Sequence, residues 1–391
     1  MKKKEDPIRF KEKLGYYTKK RVNGKLIWFH GASVGEILSI IPLIEKLEND
    51  TKIKQILITS NTLSSSRVLL NLKFKKTIHQ FFPIDTNYHS KKFLNYWKPS
   101  MAVFIDSEIW PNMLLNIKKK RISLILMNAR ITEKSFKRWR LLASYARTFF
   151  QTFDLCLSSS LRSKNYLKIL GAKKVKFIGN LKFAQSEKDI DGLKNDLKKF
   201  LLSKKIWCAS STHFTEEKTC AHVHKKLKTK YKNLLTIIIP RHIHRTEKII
   251  NEIKELDLII HTHSSKKKIN KKTDIYLVNS FGQTKSFFKF CKIVFLGGSI
   301  VQHGGQNPLE AARYGCKILH GPNVWNFDEI YALLNKFKVS YKVNNPNQLA
   351  NKVDKMLKKK NNFKILKHKI KNIGNKILNS TLNELNQFIK K

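Results

Sequence analysis

The amino-acid sequence predicts an α/β protein with two doubly wound domains, each built on a parallel sheet. A length of 391 residues favours two domains over one, and a hydrophobic fraction of 41% is enough for two cores. Short apolar runs alternate with segments of helical periodicity, which is the pattern of repeated βα units. We therefore predict a first domain over residues 1–184, a second over 185–345, and C-terminal helices over 346–391 that pack back across the domains.

The first half of the chain carries this alternation most clearly. Apolar runs predict strands at 26–30, 55–59, 78–82, 101–105, 123–127 and 154–158. Helical spacing predicts helices over 37–47 and 88–97 and one long helix over 132–153. A polar stretch at 185–191 predicts the interdomain linker. Its DxD string, Asp189 and Asp191, lies among lysines and glutamates, and we expect it to bind no metal.

Charged residues follow three of these strands directly. Glu36 follows the strand at 26–30, Glu108 the strand at 101–105, and Arg130 the strand at 123–127. The carboxyl ends of parallel strands meet at one edge of a sheet, and ligands bind there in open α/β folds. These residues therefore form a candidate site. Two roles stay open for Glu36, a catalytic carboxylate or one that only stabilises the dipole of the next helix.

The second half repeats the alternation, with strands predicted at 206–209, 234–239, 275–278 and 292–296. Arg241 follows the second of these, where a guanidinium is well placed to bind a phosphate. Three HxH pairs lack a third ligand at sensible spacing, and we interpret them as non-metal. They are His222 and His224, His242 and His244, and His261 and His263.

A glycine-rich stretch after the last of these strands is the strongest candidate for a ligand loop. Asn307 and Pro308 then begin a predicted helix, with Pro308 at the first helical position, and the helix ends near Gly315. Such a loop can hold a phosphate, and Glu310 can take ribose hydroxyls. A tight packing turn without a ligand is the alternative. The predicted phosphate loop consists of Gly297, Gly298, Ser299, Gly304 and Gly305.

The net charge of +50 is the most extreme feature of the composition. Only twelve of the 78 basic residues are arginine, whereas nucleic-acid readers rely on arginine. An AT-rich genome and a selected basic surface explain this charge equally well, and the surface could meet anionic lipids or an acidic substrate. The five scattered cysteines indicate a reducing compartment. No apolar run has the ~20 residues that span a bilayer, and no signal peptide is evident.

Seven motifs occur in this order along the chain: HGASVGE, IDSEIWPN, MNARITEKS, GNLKF, SSTHFTEE, IPRH and GGSIVQHGGQNPLEAA. Over about residues 14–345 they resemble one known family, the 3-deoxy-D-manno-octulosonic acid (Kdo) transferases. The resemblance implies a GT-B glycosyltransferase whose two Rossmann-like domains face a central cleft. It implies inverting transfer of Kdo from CMP-Kdo to a lipid A precursor in lipopolysaccharide biosynthesis, without metal or cofactor. Together with the lack of a spanning run and of a signal peptide, it predicts a peripheral protein on the cytoplasmic face of the inner membrane, and the dispersed, arginine-poor charge predicts no nucleic-acid partner.

The same resemblance implies roles for individual residues. Glu36 matches the general base that deprotonates the acceptor hydroxyl, and Glu108 and Lys182 match residues that stabilise the transition state. A single base agrees with a direct displacement that inverts the anomeric centre. The matching CMP contacts are Pro240, Arg241, Phe281, Gly282, Gln283, Asn307, Pro308, Leu309 and Glu310.

The sequence departs from the family pattern at three places. The hydrophobic N-terminal anchor common in the family is missing, so we expect either membrane attachment through basic and amphipathic surface or a sequence that begins late. For the aromatic and basic segment 132–153 two roles stay open, an ordinary core-facing helix, which we favour, or a surface that rests on an anionic bilayer. Gln283 stands where the family tends to have an acid. Gln306 stands where histidine is common.

Two other functions remain as alternatives. One is a GT-B transferase that uses a different nucleotide sugar, against which the ASVGE and NPLE segments argue. The other is a basic module that binds nucleic acid or anionic membranes through its charge. That function would require clustered basic residues, whereas the lysines are spread through the chain and the two glutamates would have no role.

Overall fold

The computed structural model describes residues 6–70, 72–185, 192–359 and 363–390. The chain divides into two compact units, and each forms its own hydrophobic core. The first unit comprises Met1–Gln185 and Asn372–Lys391, and the second comprises Ser186–Lys371. The DxD string and most of the predicted linker lie outside the described residues.

The first unit is built on a parallel sheet that has seven strands in the described residues, in the order β3-β2-β1-β4-β5-β6-β7. The strands are β1 (Leu26–His30), β2 (Gln55–Ser60), β3 (Thr77–Phe81), β4 (Met101–Ile105), β5 (Ser123–Ala129), β6 (Leu155–Ser158) and β7 (Val175–Phe177). The helices are α1 (Val34–Leu47), α2 (Leu63–Leu70), α3 (Asn87–Trp97), α4 (Pro111–Lys119), α5 (Glu133–Leu141), α6 (Ala143–Phe150) and α7 (Leu161–Ile169). Two 3₁₀ helices, Arg9–Leu14 and Leu181–Ala184, flank them.

Continuous burial explains why the central strands of this sheet are easy to find in the sequence. Every residue of β1 and β4 is buried, as expected of parallel strands covered on both faces. The indole of Trp28 packs 4.7 Å from the ring of Phe93 on α3 and 5.2 Å from the ring of Phe104 on β4. These aromatic contacts join the sheet to the helix that covers it.

The second unit has the same architecture, with seven parallel strands in its described part, in the order β10-β11-β9-β8-β12-β13-β14. The strands are β8 (Lys205–Thr212), β9 (Leu234–Pro240), β10 (Ile260–Thr262), β11 (Ile275–Leu277), β12 (Ile293–Leu296), β13 (Lys317–His320) and β14 (Ser340–Lys342). The helices are α8 (Asn195–Leu202), α9 (Glu216–Lys228), α10 (Thr246–Lys254), α11 (Thr284–Phe288), α12 (Leu309–Arg313), α13 (Asp328–Lys336) and α14 (Pro346–Lys358). The last helix, α15 (Phe363–Ile389), begins in this unit and belongs to the first unit from Asn372 onward. A 3₁₀ helix, Ile243–Arg245, precedes α10.

The strand order of each sheet reverses at a central strand pair, and this reversal fixes where a ligand can bind. In the first unit β1 lies between β2 and β4, and in the second unit β8 lies between β9 and β12. Connections leave the two strands of such a pair toward opposite sides, which opens a crevice at their carboxyl ends. The prediction of a doubly wound α/β fold is confirmed in both units.

The predicted long helix over 132–153 is wrong, because the segment forms α5 and α6 with a break between them. Leu142 has φ −116° and ψ 49°, outside the helical region, and its N–H bonds to the Trp139 carbonyl three residues back. Phe136 stacks on Tyr166 at 4.0 Å before the break, and Phe150 is fully buried after it. The apolar spacing runs through the break, so periodicity alone could not reveal it.

The α12 region also differs from the prediction. Pro308 is the N-cap residue of α12 rather than its first helical residue, and the helix has only five residues. Four short strands were not predicted: β7, β10 and β14, each of three residues, and β13, of four residues. Three residues are too few to give a periodic signal.

The end of α15 belongs to the first unit and packs beside the 3₁₀ helix that carries Lys182. Gly374 is buried, and a Cβ at this position would lie 2.3 Å from the Phe183 carbonyl oxygen. The Lys176 ammonium also binds Glu384 at 2.6 Å. A glycine in this helix therefore allows close approach to the backbone next to Lys182.

We predict that Gly374→Ala destabilises the first unit although alanine is the better helix former. The clash with the Phe183 carbonyl should cost about 1–3 kcal/mol, more than the ~1 kcal/mol that alanine gains in an unhindered helix. The melting temperature would measure this loss. The control is Asn375→Ala, at the next and exposed position, which should leave stability unchanged or slightly raised. Equal stability of the two variants would contradict the packing argument.

Candidate active site

Glu36 lies in the first turn of α1, just beyond the carboxyl end of β1. The Ser33 hydroxyl oxygen accepts the Glu36 N–H at 3.3 Å, and the same hydroxyl donates to Glu36 Oε1 at 2.7 Å. The Ala32 N–H donates to Oε2 at 2.7 Å. This reciprocal capping fixes the carboxylate and stabilises the helix start. The helix-stabilising role left open by the sequence is thus present, and the half-buried carboxylate still lies at the ligand-binding edge.

Glu108 follows β4, the neighbour of β1, and aromatic side chains hold it in place. The Trp110 indole donates to Oε2 at 2.8 Å, and His30 Nε2 lies 3.4 Å from the same oxygen. The buried His30 ring stacks on Phe82 at 3.8 Å, and its Nδ1 lies 3.0 Å from the Thr59 hydroxyl. The position of Glu108 therefore depends on groups from four adjacent strands, β3, β2, β1 and β4, or the loops that follow them.

Asp106 is a third carboxyl group at this edge, and the predicted site residues lie around it. Burial raises its pKa to about 6. The positive charges of Lys182 and Arg130 oppose this rise, and the negative charges of Glu36 and Glu108 add to it. All four groups therefore lie within electrostatic range of Asp106. Its φ of 63° lies in the left-handed region, a strain that proteins concentrate at functional sites.

Lys182 reaches this group because its short helix is anchored to the sheet. The Asn180 side chain accepts the Lys182 N–H at 3.0 Å, and the buried Asn128 side chain accepts the Leu181 N–H at 2.9 Å. Asn128 lies near the end of β5 with φ 53°. The candidate site of the first unit thus combines a fixed carboxylate, two further acids and two cations.

In the second unit a buried carboxylate occupies the glycine-rich loop. Glu216 is fully buried, and its Oε2 accepts the N–H groups of Gly298 at 2.7 Å and His213 at 3.0 Å. Its Oε1 accepts those of Ser299 at 3.1 Å and Ile300 at 3.0 Å. These four amides therefore have partners within the chain, and they are not available to a bound phosphate.

The two glycines at the ends of the loop are also bonded internally. The Gly297 N–H donates to the Ser210 carbonyl at 2.9 Å, and the Gly305 N–H donates to the Gly298 carbonyl at 2.8 Å. A Cβ on Gly304 would lie 2.3 Å from the Asn326 side chain, and its φ is 82°. Close packing and turn geometry therefore require glycine at these positions.

Cationic and imidazole groups lie beside this loop. The His213 ring stacks on that of His303 at 4.2 Å and lies 5.7 Å from that of His242. Burial, together with the nearby charges of His303, His242, Arg241 and Arg245, lowers the pKa of His213 to about 4. His213 is therefore neutral at pH 7, while the two arginines provide the positive charge.

Five of the predicted CMP contacts lie at the carboxyl ends of β9 and β11, which are neighbours in the sheet. Pro240 ends β9 and is buried, and Arg241 is exposed directly after it. Phe281 is 78% exposed, Gly282 has φ 79° with open space around it, and Gln283 caps α11. An exposed aromatic ring beside a glycine suits the stacking of a nucleobase.

The remaining predicted contacts surround the start of α12. The Asn307 side chain accepts the Leu309 N–H at 3.1 Å, and Pro308 and Leu309 are buried. Glu310 is half-buried in the first turn of the helix. Among the residues that the structure describes, no three His, Cys, Asp or Glu side chains are grouped so as to hold a metal ion.

Comparison with known proteins decides the family. The sequence profile described as 3-deoxy-D-manno-octulosonic-acid transferase (kdotransferase) matches residues 8–185. A 3-deoxy-D-manno-octulosonic acid transferase from Rickettsia bellii is 32% identical over 355 residues, 90% of this chain and 84% of the relative. The chain belongs to the 3-deoxy-D-manno-octulosonic acid transferase family. It is therefore a glycosyltransferase, and the resemblance inferred from the motifs is confirmed.

More distant proteins share the family or the fold of this transferase. A 3-deoxy-D-manno-octulosonic acid transferase from Haemophilus influenzae is 27% identical, over 90% of this chain and 83% of its own. A glycosyltransferase structure from Rickettsia africae has a TM-score of 0.60 at 13% identity, covering 95% of this chain and all of that one. The UDP-GlcNAc 2-epimerase from Neisseria meningitidis has a TM-score of 0.59 at 13% identity, covering 92% and 100%. The GT-B type fold is confirmed.

We predict that Asp106→Asn raises stability at neutral pH. Because the pKa of Asp106 is raised by folding, the wild type loses stability as the pH rises toward and through 6. Asparagine removes this loss, so the variant should gain on the order of 1–2 kcal/mol relative to wild type between pH 4.5 and 7.

Thermal melts of both proteins across this pH range would measure the gain. Asp257→Asn is the matched control, because Asp257 is exposed and has a similar φ of 55°. A gain that is equal in both variants, or independent of pH, would contradict the interpretation.

Proposed function

We propose that this transferase moves Kdo from CMP-Kdo to a sugar hydroxyl of a lipid A precursor, with inversion at the anomeric carbon. The relatives named above support the sugar that is transferred. The observation that carries the proposal is the group of Glu36, Glu108 and Lys182 around Asp106 at the carboxyl edge of β1 and β4. We further propose that the reaction needs no metal and no cofactor.

Glu36 acts as the general base in this proposal. The acceptor hydroxyl gives its proton to the carboxylate as its oxygen attacks the anomeric carbon, and the bond from that carbon to the CMP phosphate oxygen breaks. The bonds from Ser33 and Ala32 hold the carboxylate in one orientation, which lowers the entropy cost of reaching the reactive geometry. A single displacement inverts the anomeric centre and requires no covalent intermediate.

Cationic side chains stabilise the negative charge that develops on the donor. The Glu216 carboxylate uses the loop amides of Gly298 and Ser299, so we assign the phosphate to Arg241, which is exposed beside the loop. Lys182 meets the carboxylate of Kdo or the charge that develops near it in the transition state. Phe281 stacks on the cytosine, and Glu310 binds the ribose hydroxyls. These roles are proposals that follow from the family motifs and the positions described above.

The acyl chains of the acceptor require contact with a membrane, and the break between α5 and α6 supplies a suitable surface. Leu141, Leu142 and Tyr145 are 85%, 55% and 63% exposed there. Apolar tips ringed by cations favour binding to anionic bilayers. No helix in the described part of the chain meets the length and hydropathy needed to cross a bilayer. The exposed cations on these helices are Lys134, Lys137, Arg138, Arg140 and Arg147.

We therefore propose that the enzyme works as a peripheral protein on the cytoplasmic face of the inner membrane. CMP-Kdo would come from the aqueous side, while the lipid A precursor would stay in the bilayer. A nucleic-acid partner is not part of this proposal, because neither site needs one.

The first prediction of this proposal concerns the base. In detergent, with a tetra-acylated lipid A precursor, CMP-Kdo and EDTA, the wild type should form product. Glu36→Gln should lower the rate by about 10²–10⁴-fold, because the amide cannot accept the proton. CMP binding should be unchanged in this variant, since Glu36 belongs to the other unit from the predicted CMP contacts.

The control is Glu45→Gln, an exposed position on the same helix, which should keep full activity. Product formation that persists in Glu36→Gln would exclude Glu36 as the base. Loss of wild-type activity in EDTA would refute metal independence, and a wild type that transfers no Kdo at all would refute the proposed reaction.

A second prediction concerns the membrane surface. Replacing Leu141, Leu142 and Tyr145 together with serine should weaken binding to phosphatidylglycerol vesicles roughly tenfold or more, because about 1 kcal/mol of apolar burial is lost at each position. Vesicle sedimentation would measure this binding. The matched control replaces three other exposed apolar residues of the same unit with serine, and it should bind as the wild type does. Equal weakening in both triple variants would contradict the assigned surface. The control residues are Leu70, Leu161 and Ile169.

A further inference from the structure

The Glu216 carboxylate is bonded as a bound anion would be. It is fully buried, and four backbone N–H groups from two separate loops converge on its oxygens at 2.7 to 3.1 Å. Backbone N–H groups that converge in this way form anion-binding sites in many folds. Here the anion is part of the chain, so the site is filled before any ligand arrives.

The carboxylate lies at the reversal point of the second sheet. Glu216 begins α9 after β8, while Gly298, Ser299 and Ile300 follow β12, which pairs with β8. A ligand of an open α/β sheet would enter this crevice, but the carboxylate bridges its two sides. A Cβ on Gly297 would lie 2.7 Å from Glu216 Oε2 and 2.5 Å from the Thr212 Cα. The absence of a side chain at Gly297 is therefore required by the close approach of Glu216 and β8.

The turn held by Glu216 positions the rest of the loop. The Gly298 carbonyl accepts the Gly305 N–H at 2.8 Å. This bond fixes the position of the second glycine pair, 304–305, relative to the first, 297–298. The Ser299 hydroxyl accepts the Gly321 N–H at 2.8 Å, which joins the turn to the segment after β13. Residues 307–310, with the predicted ribose and CMP contacts, follow directly.

We propose that Glu216 is a positioning residue that holds the nucleotide-binding loop of the second unit in its binding-competent form. Its charge orders four amides without a ligand, so the donor does not lose binding energy to order the loop. The choice of CMP as the nucleotide rests on the function proposed above. The role of the carboxylate in ordering the loop is independent of that proposed function.

The test is Glu216→Gln in the full-length enzyme. The amide has the shape of the carboxylate, but its NH₂ group cannot accept the N–H groups that now bond to one of the oxygens. Amide hydrogen exchange followed by mass spectrometry should show faster exchange at residues 298–300. The dissociation constant for CMP should rise roughly tenfold, as expected for lost hydrogen bonds to a charged group. In turnover, the KM for CMP-Kdo should rise more than kcat falls.

Asp274→Asn is the matched control. Asp274 is also a buried carboxylate of the second unit, bonded to Lys228 at 2.7 Å and to the Ile259 N–H at 3.0 Å. It directly precedes β11, at the opposite edge of the sheet from the loop. This variant should lose stability yet keep wild-type exchange at 298–300 and wild-type affinity for CMP.

Wild-type exchange and CMP affinity in Glu216→Gln would overturn the inference, as would equal effects in both variants. A wild type that binds no CMP would refute the proposed donor, while the exchange experiment would still decide the role of Glu216. If Glu216→Gln does not fold, Glu216→Asp keeps the charge but shortens its reach. Faster exchange at 298–300 in that variant supports the inference, and unchanged exchange overturns it.

Discussion

The pairing of β1 with β4 is the constraint on which the site of the first unit depends. These strands are far apart in sequence, and only their parallel register, from Ile27 opposite Met101 to His30 opposite Phe104, brings their following loops together. Glu108 lies on the loop after β4, and Glu36 lies in the first turn of α1, just after the loop that follows β1. The buried His30 ring at the end of β1 also lies against the Glu108 carboxylate, so the strand pair both creates the crevice and orients the acid in it.

Buried acids organise backbone in this lysine-rich chain. Glu12 is fully buried and accepts the Phe81 N–H at 2.8 Å, which ties the first 3₁₀ helix to the end of β3. Glu216 does the same between two loops of the second unit. With a net charge of +50, an unpaired acid could find a lysine at almost any surface position. Surface ion pairs of this kind contribute little stability. The acids that hold the fold together are therefore the buried ones that bond to backbone N–H groups.

The central strands and Glu36, Glu108 and Lys182 could be predicted from the sequence, because continuous apolar runs and family motifs mark them. The break at Leu142 could not be predicted, because the helical spacing of apolar residues continues through it and the two helices are separated by tertiary packing. Asp106 lies in the IDSEIWPN motif, but the sequence does not reveal that it is buried or that its φ lies in the left-handed region. The partner of the glycine loop was also hidden. A glycine-rich turn before a helix has the same sequence pattern whether a phosphate or a carboxylate of the chain fills it.

Glu36 and Glu216 occupy equivalent places in the two units, and their difference in burial separates their chemistry. Each lies at the start of the helix after the strand where its sheet reverses, and each accepts backbone N–H groups. Glu36 is half-buried and bonds to one amide and one hydroxyl, so a substrate hydroxyl can still reach its oxygens. Glu216 is fully buried and bonds to four amides, which leaves no room for a substrate proton. The same position in a doubly wound sheet thus holds the proposed base in one unit and a fully buried carboxylate bonded to backbone in the other.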